Sequence, residues 1–107
     1  WDEKARKKFL QPGVLEVLER LCRKLEELES FSDTASLEAL LKGICSENEP
    51  PLQMGQLAQP VRVALTGKSV SPGIFDVLFL LGKEKTVARL RAAITEIRAG
   101  AADRAME

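Results

Sequence analysis

The chain has 107 residues, of which 45% are hydrophobic and 30% charged, with zero net charge and no histidine. This size suits one small globular domain with a modest core. Zero net charge argues against a protein held to nucleic acid by bulk electrostatics, and no stretch approaches the roughly 20 apolar residues of a membrane-spanning helix. We therefore expect a soluble cytoplasmic protein without a membrane partner.

The first two predicted helices are separated by a Pro-Gly pair. Asp2 is a suitable cap for a short helix that extends to Leu10, and Pro12 and Gly13 then interrupt it. From Val14 onward, apolar residues recur at three- and four-residue spacing, which predicts a long amphipathic helix. The buried side of that helix should consist of Leu15, Leu18, Leu21, Cys22, Leu25 and Leu28.

A third helix should begin at Asp33 or Thr34, because both side chains are suited to capping. Two successive prolines within residues 47–51 then end it. Its buried side should consist of Leu37, Leu40, Leu41, Ile44 and Cys45. Both cysteines thus fall at apolar positions, without another cysteine or histidine at metal-ligand spacing, and we predict two reduced core thiols.

Pro60 divides the next predicted helical region. Residues 52–58 are expected to form a short helix, and Pro60 should bend the chain because it lacks an amide hydrogen and disfavours helical geometry at Gln59. A new turn would begin at Pro60 and end at Gly67, which readily adopts a left-handed conformation.

Two further helices are predicted after this turn. Ser71 and Pro72 form a helix-start pair, and Gly82 ends the helix that follows. The final helix should extend over residues 83–98, with Gly100 as its stop. The apolar sides should consist of Ile74, Val77, Leu78 and Leu81 in the first and of Val87, Leu90, Ile94 and Ile97 in the second.

These patterns predict an all-α fold, a compact irregular bundle of six to seven short helices. No internal repeat or low-complexity linker interrupts the chain. The one predicted point of subdivision lies near the paired prolines, between a helical half, residues 1–48, and a second half, residues 52–107.

Charge is distributed unevenly along the chain. Residues 60–91 carry six basic residues against two acidic ones, a balance of +4, whereas residues 31–59 carry one against four, a balance of −3. The basic residues of the positive segment are Arg62, Lys68, Lys83, Lys85, Arg89 and Arg91. Two interpretations remain open, a solvated helix face and a surface that meets phosphate groups.

The residues that catalysis usually requires are scarce. Without histidine there is no ordinary proton shuttle near neutral pH, and neither a Ser/His nor a Cys/His nucleophile pair can form. Glu26, Glu27 and Glu29 could be imagined as metal ligands, but their position on the polar side of a long helix favours a solvated surface. By itself, this chain is not expected to be an enzyme.

Three separated blocks carry a family resemblance. Residues 60–67 read Pro-Val-Arg-Val-Ala-Leu-Thr-Gly, residues 71–73 read Ser-Pro-Gly, and residues 81–84 read Leu-Gly-Lys-Glu. In this order and spacing they resemble the C-terminal anticodon-binding region of bacterial glutamyl-tRNA synthetases, which are class I aminoacyl-tRNA synthetases. The resemblance covers nearly the whole chain and implies that residues 1–107 form a single C-terminal anticodon-binding domain with an α-helical cage fold.

The resemblance also implies partners and a division of labour. The family ligates glutamate to its tRNA with ATP and Mg²⁺ in a separate catalytic domain, whose signature motifs do not occur in this sequence. The implied partners are the anticodon loop of glutamate tRNA and the catalytic domain of the same longer chain. No cofactor of its own, no DNA partner and a monomeric state are expected for this segment.

The site residues implied by the resemblance lie in the matching blocks or directly beside them. Arg62 would contact a base or phosphate through its planar guanidinium, with an arginine that braces helix ends as the alternative. Ile74 would offer an apolar edge, with a core position as the alternative, and Lys68 is a hypothesised phosphate contact. The full set is Arg62, Thr66, Gly67, Lys68, Ser71, Pro72 and Ile74.

Other residues leave the function open. Gln53 and Gln56 occupy positions where the resemblance leads us to expect lysine, which removes a charge from the turn before the matching block. Three phenylalanines could stack on unpaired bases, although helical spacing beside leucine favours core positions for Phe31, Phe75 and Phe79. Apart from the resemblance, a non-enzymatic helical domain that binds a partner protein remains the alternative.

Overall fold

The computed structural model describes residues 3–31, 33–68 and 73–106, with side chains described up to residue 100. Five α-helices follow one another: α1 (Glu3–Phe9), α2 (Leu15–Glu27), α3 (Thr34–Glu47), α4 (Met54–Thr66) and α5 (Ile74–Met106). A 3₁₀ turn at Pro12–Val14 joins α1 to α2, and the described residues contain no strand. The all-α prediction is confirmed, whereas the predicted count of six to seven helices was too high.

The main correction concerns Pro60, which lies inside one continuous helix instead of dividing two. A proline in a helix interior removes one hydrogen bond and crowds the preceding turn, at a cost of about 3 kcal/mol. Burial on both sides of the proline offsets this cost, because α4 packs against α1, α3 and α5. The buried residues of α4 are Leu57, Ala58, Pro60, Val61, Val63, Ala64 and Leu65.

A capping box begins α4 and gives the two glutamines a structural role. The Gln53 backbone N–H donates to Gln56 Oε1 at 2.8 Å, and the Gln53 side chain accepts from the backbone of the same first turn. These bonds satisfy backbone N–H groups that otherwise lack partners at a helix N-terminus. The neutral side-chain amides of Gln53 and Gln56 therefore stabilise the start of α4.

Other predicted helix ends are confirmed. Asp33 caps α3, since its Oδ1 accepts from Ser36 N–H at 2.7 Å. Gly67 has φ of 80° and donates its N–H to the Val63 carbonyl at 2.8 Å, which closes α4. Asp2, the predicted cap of the first helix, lies outside the described residues.

Gly82 breaks α5 into two helical segments, residues 74–81 and 83–106, as its position in the sequence predicted. Its φ of 81° and ψ of 169° belong to a backbone conformation that residues with a Cβ rarely adopt. Gly100, by contrast, does not end the helix, which continues to Met106. The alanines and arginine that follow Gly100 have high helix propensity, and one glycine costs only about 1 kcal/mol.

One hydrophobic core connects all five helices. Helix α5 packs against α2, α3 and α4, so helices from residues 1–48 and 52–107 share the same buried cluster. Both thiols are buried and free, and burial raises the pKa of Cys22 and of Cys45. The largest fully buried side chains are Leu18, Leu21, Leu25, Leu37, Leu41, Ile44, Leu57, Leu65, Leu78, Leu90, Val61 and Val63.

No helix in the described ranges has an apolar stretch long enough to cross a membrane.

We expect Gly82→Ala to lower the free energy of unfolding by about 1–3 kcal/mol, because a Cβ is strained at this φ and ψ even though the surrounding space is open. The control is Gly43→Ala in α3, where a new Cβ meets nothing within 4 Å and φ is helical. That change should stabilise by up to about 1 kcal/mol. Urea unfolding of both variants provides the measurement, and a Gly82→Ala chain as stable as the parent would contradict the strain assigned to Gly82.

Thr86 is fully buried, and its Oγ1 has no hydrogen-bond partner among the described residues. A helical threonine usually donates to the carbonyl four residues earlier, but that residue is Gly82, whose ψ turns its carbonyl out of the helix direction. Thr86→Val should therefore raise the free energy of unfolding by about 1 kcal/mol. The control is Thr95→Val, at an exposed position of the same helix, which should change the free energy of unfolding little. A Thr86→Val chain that is less stable than the parent would contradict the lack of a hydrogen-bond partner for Thr86 Oγ1 among the described residues.

Candidate nucleic-acid interface

Because most of α4 is buried, only one side of this helix remains accessible. Gln56, Gln59, Arg62 and Thr66 lie on it at spacings of three, three and four residues, all of them exposed or half-buried. We call these four residues the polar stripe of α4. Val61 and Val63, on either side of Arg62, are fully buried, so the Arg62 side chain leaves the helix on a different side from its neighbours.

The hydroxyl of Thr66 organises the C-terminal end of the polar stripe. Thr66 Oγ1 lies 2.8 Å from the Arg62 carbonyl oxygen and 3.1 Å from that of Lys68, and it accepts from Lys68 N–H at 3.2 Å. Gly67 provides the left-handed residue that allows the chain to reverse between these atoms. Four predicted site residues, Arg62, Thr66, Gly67 and Lys68, are thus brought together in one turn.

Arg89 reaches this turn from α5, although no motif in the sequence marks it as a site residue. Its Nη1 donates to the Leu65 carbonyl at 2.6 Å across a separation of 24 residues. Arg89 thereby fills the role of an arginine that braces a helix end, which was the alternative for Arg62. The only signal in the sequence is the membership of Arg89 in the positive segment.

A pocket of about 360 Å³ lies between the end of α4 and α5. It is open to solvent on one side and contains the Arg89 guanidinium close to the last residues of α4. Its lining consists of Ala64, Leu65, Thr66, Gly67, Arg89 and Ala92. The pocket therefore joins two predicted site residues to an arginine from a different helix.

The start of α5 gives a mixed outcome for the predicted residues. Ile74 is only 5% exposed and belongs to the core, which favours the core alternative for its side chain. Ser71 and Pro72 lie outside the described residues. Phe31 and Phe75 pack partly buried against the core, whereas Phe79 is 44% exposed.

Phe79 is followed by Leu80, which is 81% exposed. The two form an apolar patch on the first segment of α5, ahead of the break at Gly82. The core position that helical spacing favours for Phe79 is therefore wrong.

Several basic residues of α5 are engaged in ion pairs. Arg91 donates to Glu26 of α2, and this hydrogen bond holds the pKa of the Glu26 carboxyl below its usual value. Arg98 pairs with Glu19 of α2 in the same way. Arg91 thus joins two helices, which favours a structural role for part of the positive segment.

No group of three or more potential metal ligands occurs among the residues that the structure describes. Glu26 is engaged with Arg91 and also accepts from the Cys22 thiol at 3.5 Å. This arrangement uses the Glu26 carboxylate within the fold.

Comparison with known proteins identifies the class of this domain. Residues 1–94 match the family model of the anticodon binding domain, and the chain belongs to this family. The resemblance carried by residues 60–67, 71–73 and 81–84 is thereby confirmed.

Relatives with similar sequences include glutamate-tRNA ligases of several bacteria. The chain is 44% identical over 100 residues to that of Geotalea uraniireducens (strain Rf4), an alignment that covers 94% of this chain and 21% of the ligase. It is 45% identical over 92 residues to a glutamate-tRNA ligase of Thermus thermophilus, which covers 86% of this chain and 19% of the ligase. The chain therefore spans about a fifth of the length of these relatives and corresponds to their C-terminal region.

Proposed function

We propose that this chain is the anticodon-binding module of a glutamate-tRNA ligase and that it binds the anticodon loop of glutamate tRNA. The observation that carries the proposal is the family match together with the turn at the end of α4, where three motif residues and the adjoining Lys68 lie together. Single-stranded loops are read through base edges and stacking on planar groups, which requires donors and acceptors held in a fixed arrangement. The Thr66 hydroxyl bonds supply such an arrangement.

Each proposed contact follows from the chemistry of its residue. Arg62 would hydrogen-bond a base edge or phosphate through its planar fork and stack on a base. Thr66 and Gly67 would present backbone groups beside the pocket, and exposed Lys68 would meet a phosphate as a point charge. Ser71 and Pro72 would complete the loop, and Ile74 would support it from the core.

The remaining functions of the ligase belong, in this proposal, to other parts of a longer chain. Glutamate activation with ATP and Mg²⁺ would occur in a catalytic domain joined to this module, since the chain spans only about a fifth of its relatives. The described residues of the module contain no group of three or more potential metal ligands. A monomeric cytoplasmic ligase without a DNA partner completes the proposal.

The apolar patch formed by Phe79 and Leu80 favours a second candidate function, a helical domain that binds a partner protein. Titration of the chain with an anticodon stem-loop RNA of glutamate tRNA separates the two functions. The proposal requires tighter binding than to an equal stem-loop with an unrelated anticodon. Equal affinity for the two RNAs would favour the protein-binding alternative.

Arg62→Ala should weaken binding of the glutamate stem-loop at least several-fold, since an arginine contact to a base contributes about 1–3 kcal/mol. Arg62→Lys should also be defective, because an ammonium keeps the charge but lacks the planar fork. The control is Arg23→Ala, which removes an exposed arginine from α2 and should leave affinity nearly unchanged.

Thermal unfolding, measured on the same Arg62 variants, distinguishes recognition from support of the fold. The proposed role predicts nearly unchanged melting for Arg62→Ala and Arg62→Lys. An Arg62→Ala chain that unfolds, with no separate loss of RNA affinity, would show that Arg62 is structural.

A further inference from the structure

We propose that Arg89 is a positioning residue of the anticodon interface, which acts from α5 by holding the end of α4 in place. The inference rests on the proposed function, because it concerns the same turn. It adds a residue outside the matching motif blocks and gives it a role that differs from that of Arg62.

The hydrogen bond from Arg89 provides a partner for the Leu65 carbonyl at the C-terminal end of α4. The last carbonyls of a helix have no partner within the helix, and they carry the negative end of the helix dipole. Val63 O is satisfied by Gly67 N–H just beyond the helix end. Leu65 O receives its hydrogen bond from Arg89 at 2.6 Å, and the positive guanidinium also complements the dipole.

The position of Leu65 connects this bond to the proposed RNA contacts. Its carbonyl belongs to the peptide unit that leads directly into Thr66, whose hydroxyl contacts the backbone of both Arg62 and Lys68. A shift of the Leu65 carbonyl would therefore move the Thr66 hydroxyl and the Lys68 amide with it. Arg89 is the group that fixes this peptide unit from a second helix.

The hydrogen bond between Arg89 and Leu65 O lies outside the main core, so its loss should affect the position of the turn more than the stability of the fold. Arg89 is itself an exposed residue, whereas the side chains of Val63 and Leu65 are fully or almost fully buried. Loss of the guanidinium would leave those apolar contacts in place. The expected defect is thus a looser turn on an intact fold.

The chemistry of the contact differs from that proposed for Arg62. One N–H donor and one positive charge near a helix C-terminus are sufficient to hold the Leu65 carbonyl. A lysine provides both, although its side chain is shorter by about one bond length, so Arg89→Lys should preserve most of the positioning. At Arg62, where the planar fork is required, the same replacement is expected to fail.

The test measures affinity of the 107-residue chain for the glutamate anticodon stem-loop and for the stem-loop with an unrelated anticodon. Arg89→Met should reduce the ratio of these affinities about fivefold, within the range for loss of an ordinary intramolecular hydrogen bond. Arg89→Lys should restore most of the ratio. Arg91→Met is the matched control, because it removes a positive charge two residues away that pairs with Glu26 of α2, and its ratio should stay unchanged.

Amide hydrogen exchange provides a readout that does not depend on RNA. Arg89→Met should accelerate exchange at Gly67 and Lys68, whose N–H groups donate to Val63 O and to Thr66 Oγ1, while the midpoint of thermal unfolding changes little. Arg89→Lys and Arg91→Met should exchange at these amides as the parent chain does.

The outcomes separate failure of this inference from failure of the proposed function. A parent chain with no preference for the glutamate stem-loop overturns both. A parent chain that discriminates, with Arg89→Met equal to it in affinity ratio and in exchange, overturns the role of Arg89 alone. Arg89→Lys as defective as Arg89→Met also overturns it, because that result requires the fork of Arg89 instead of a single bond to Leu65 O.

Discussion

The burial of α4 is the constraint on which the rest of this structure depends. Seven of its thirteen residues are buried, and Pro60 is among them. Since the helix contacts other elements on most sides, its accessible surface beyond the first turn is reduced to the polar stripe. The same packing that overcomes the cost of an interior proline thus selects which side chains of the motif can meet a ligand.

The ion pairs of α5 compensate several of its positive charges within this neutral chain. Glutamates of α2 compensate Arg91 and Arg98, and Glu96 accepts from Arg6 of α1 at 3.1 Å. Exposed pairs of this kind contribute little to stability, usually less than about 1 kcal/mol each. They do reduce the unpaired positive charge of α5. Under the proposed function, attraction of RNA by overall charge would therefore be weak, and discrimination between RNAs would depend on individual contacts.

Local sequence rules predicted much of the fold because they describe interactions between near neighbours. Asp33, Gly67 and Gly82 were identified correctly, each from a backbone requirement that the residue itself meets. The same rules failed at Pro60, where tertiary burial overrides a local preference, and at Gly100, where the helix formers that follow continue the helix. The candidate site was predictable to a smaller extent. The motif identified the turn at Arg62 and Thr66, but it could not reveal Arg89, whose bond to Leu65 depends on how two helices pack. Phe79 lies off the buried side of the first segment, which Ile74 and Leu78 form, so its position beside leucine was a poor guide to burial.

The non-helical conformation of Gly82 makes the pattern of buried positions in one segment of α5 independent of that in the other. A single residue outside helical geometry resets the rotational phase, so residues 74–81 and 83–106 do not share one helical wheel. A side chain in the first segment can change from polar to apolar without altering which positions of the second segment are buried. The segment that bears Phe79 and Leu80 is therefore free to acquire a new surface chemistry while the core contributed by Leu90 and Ile94 stays the same.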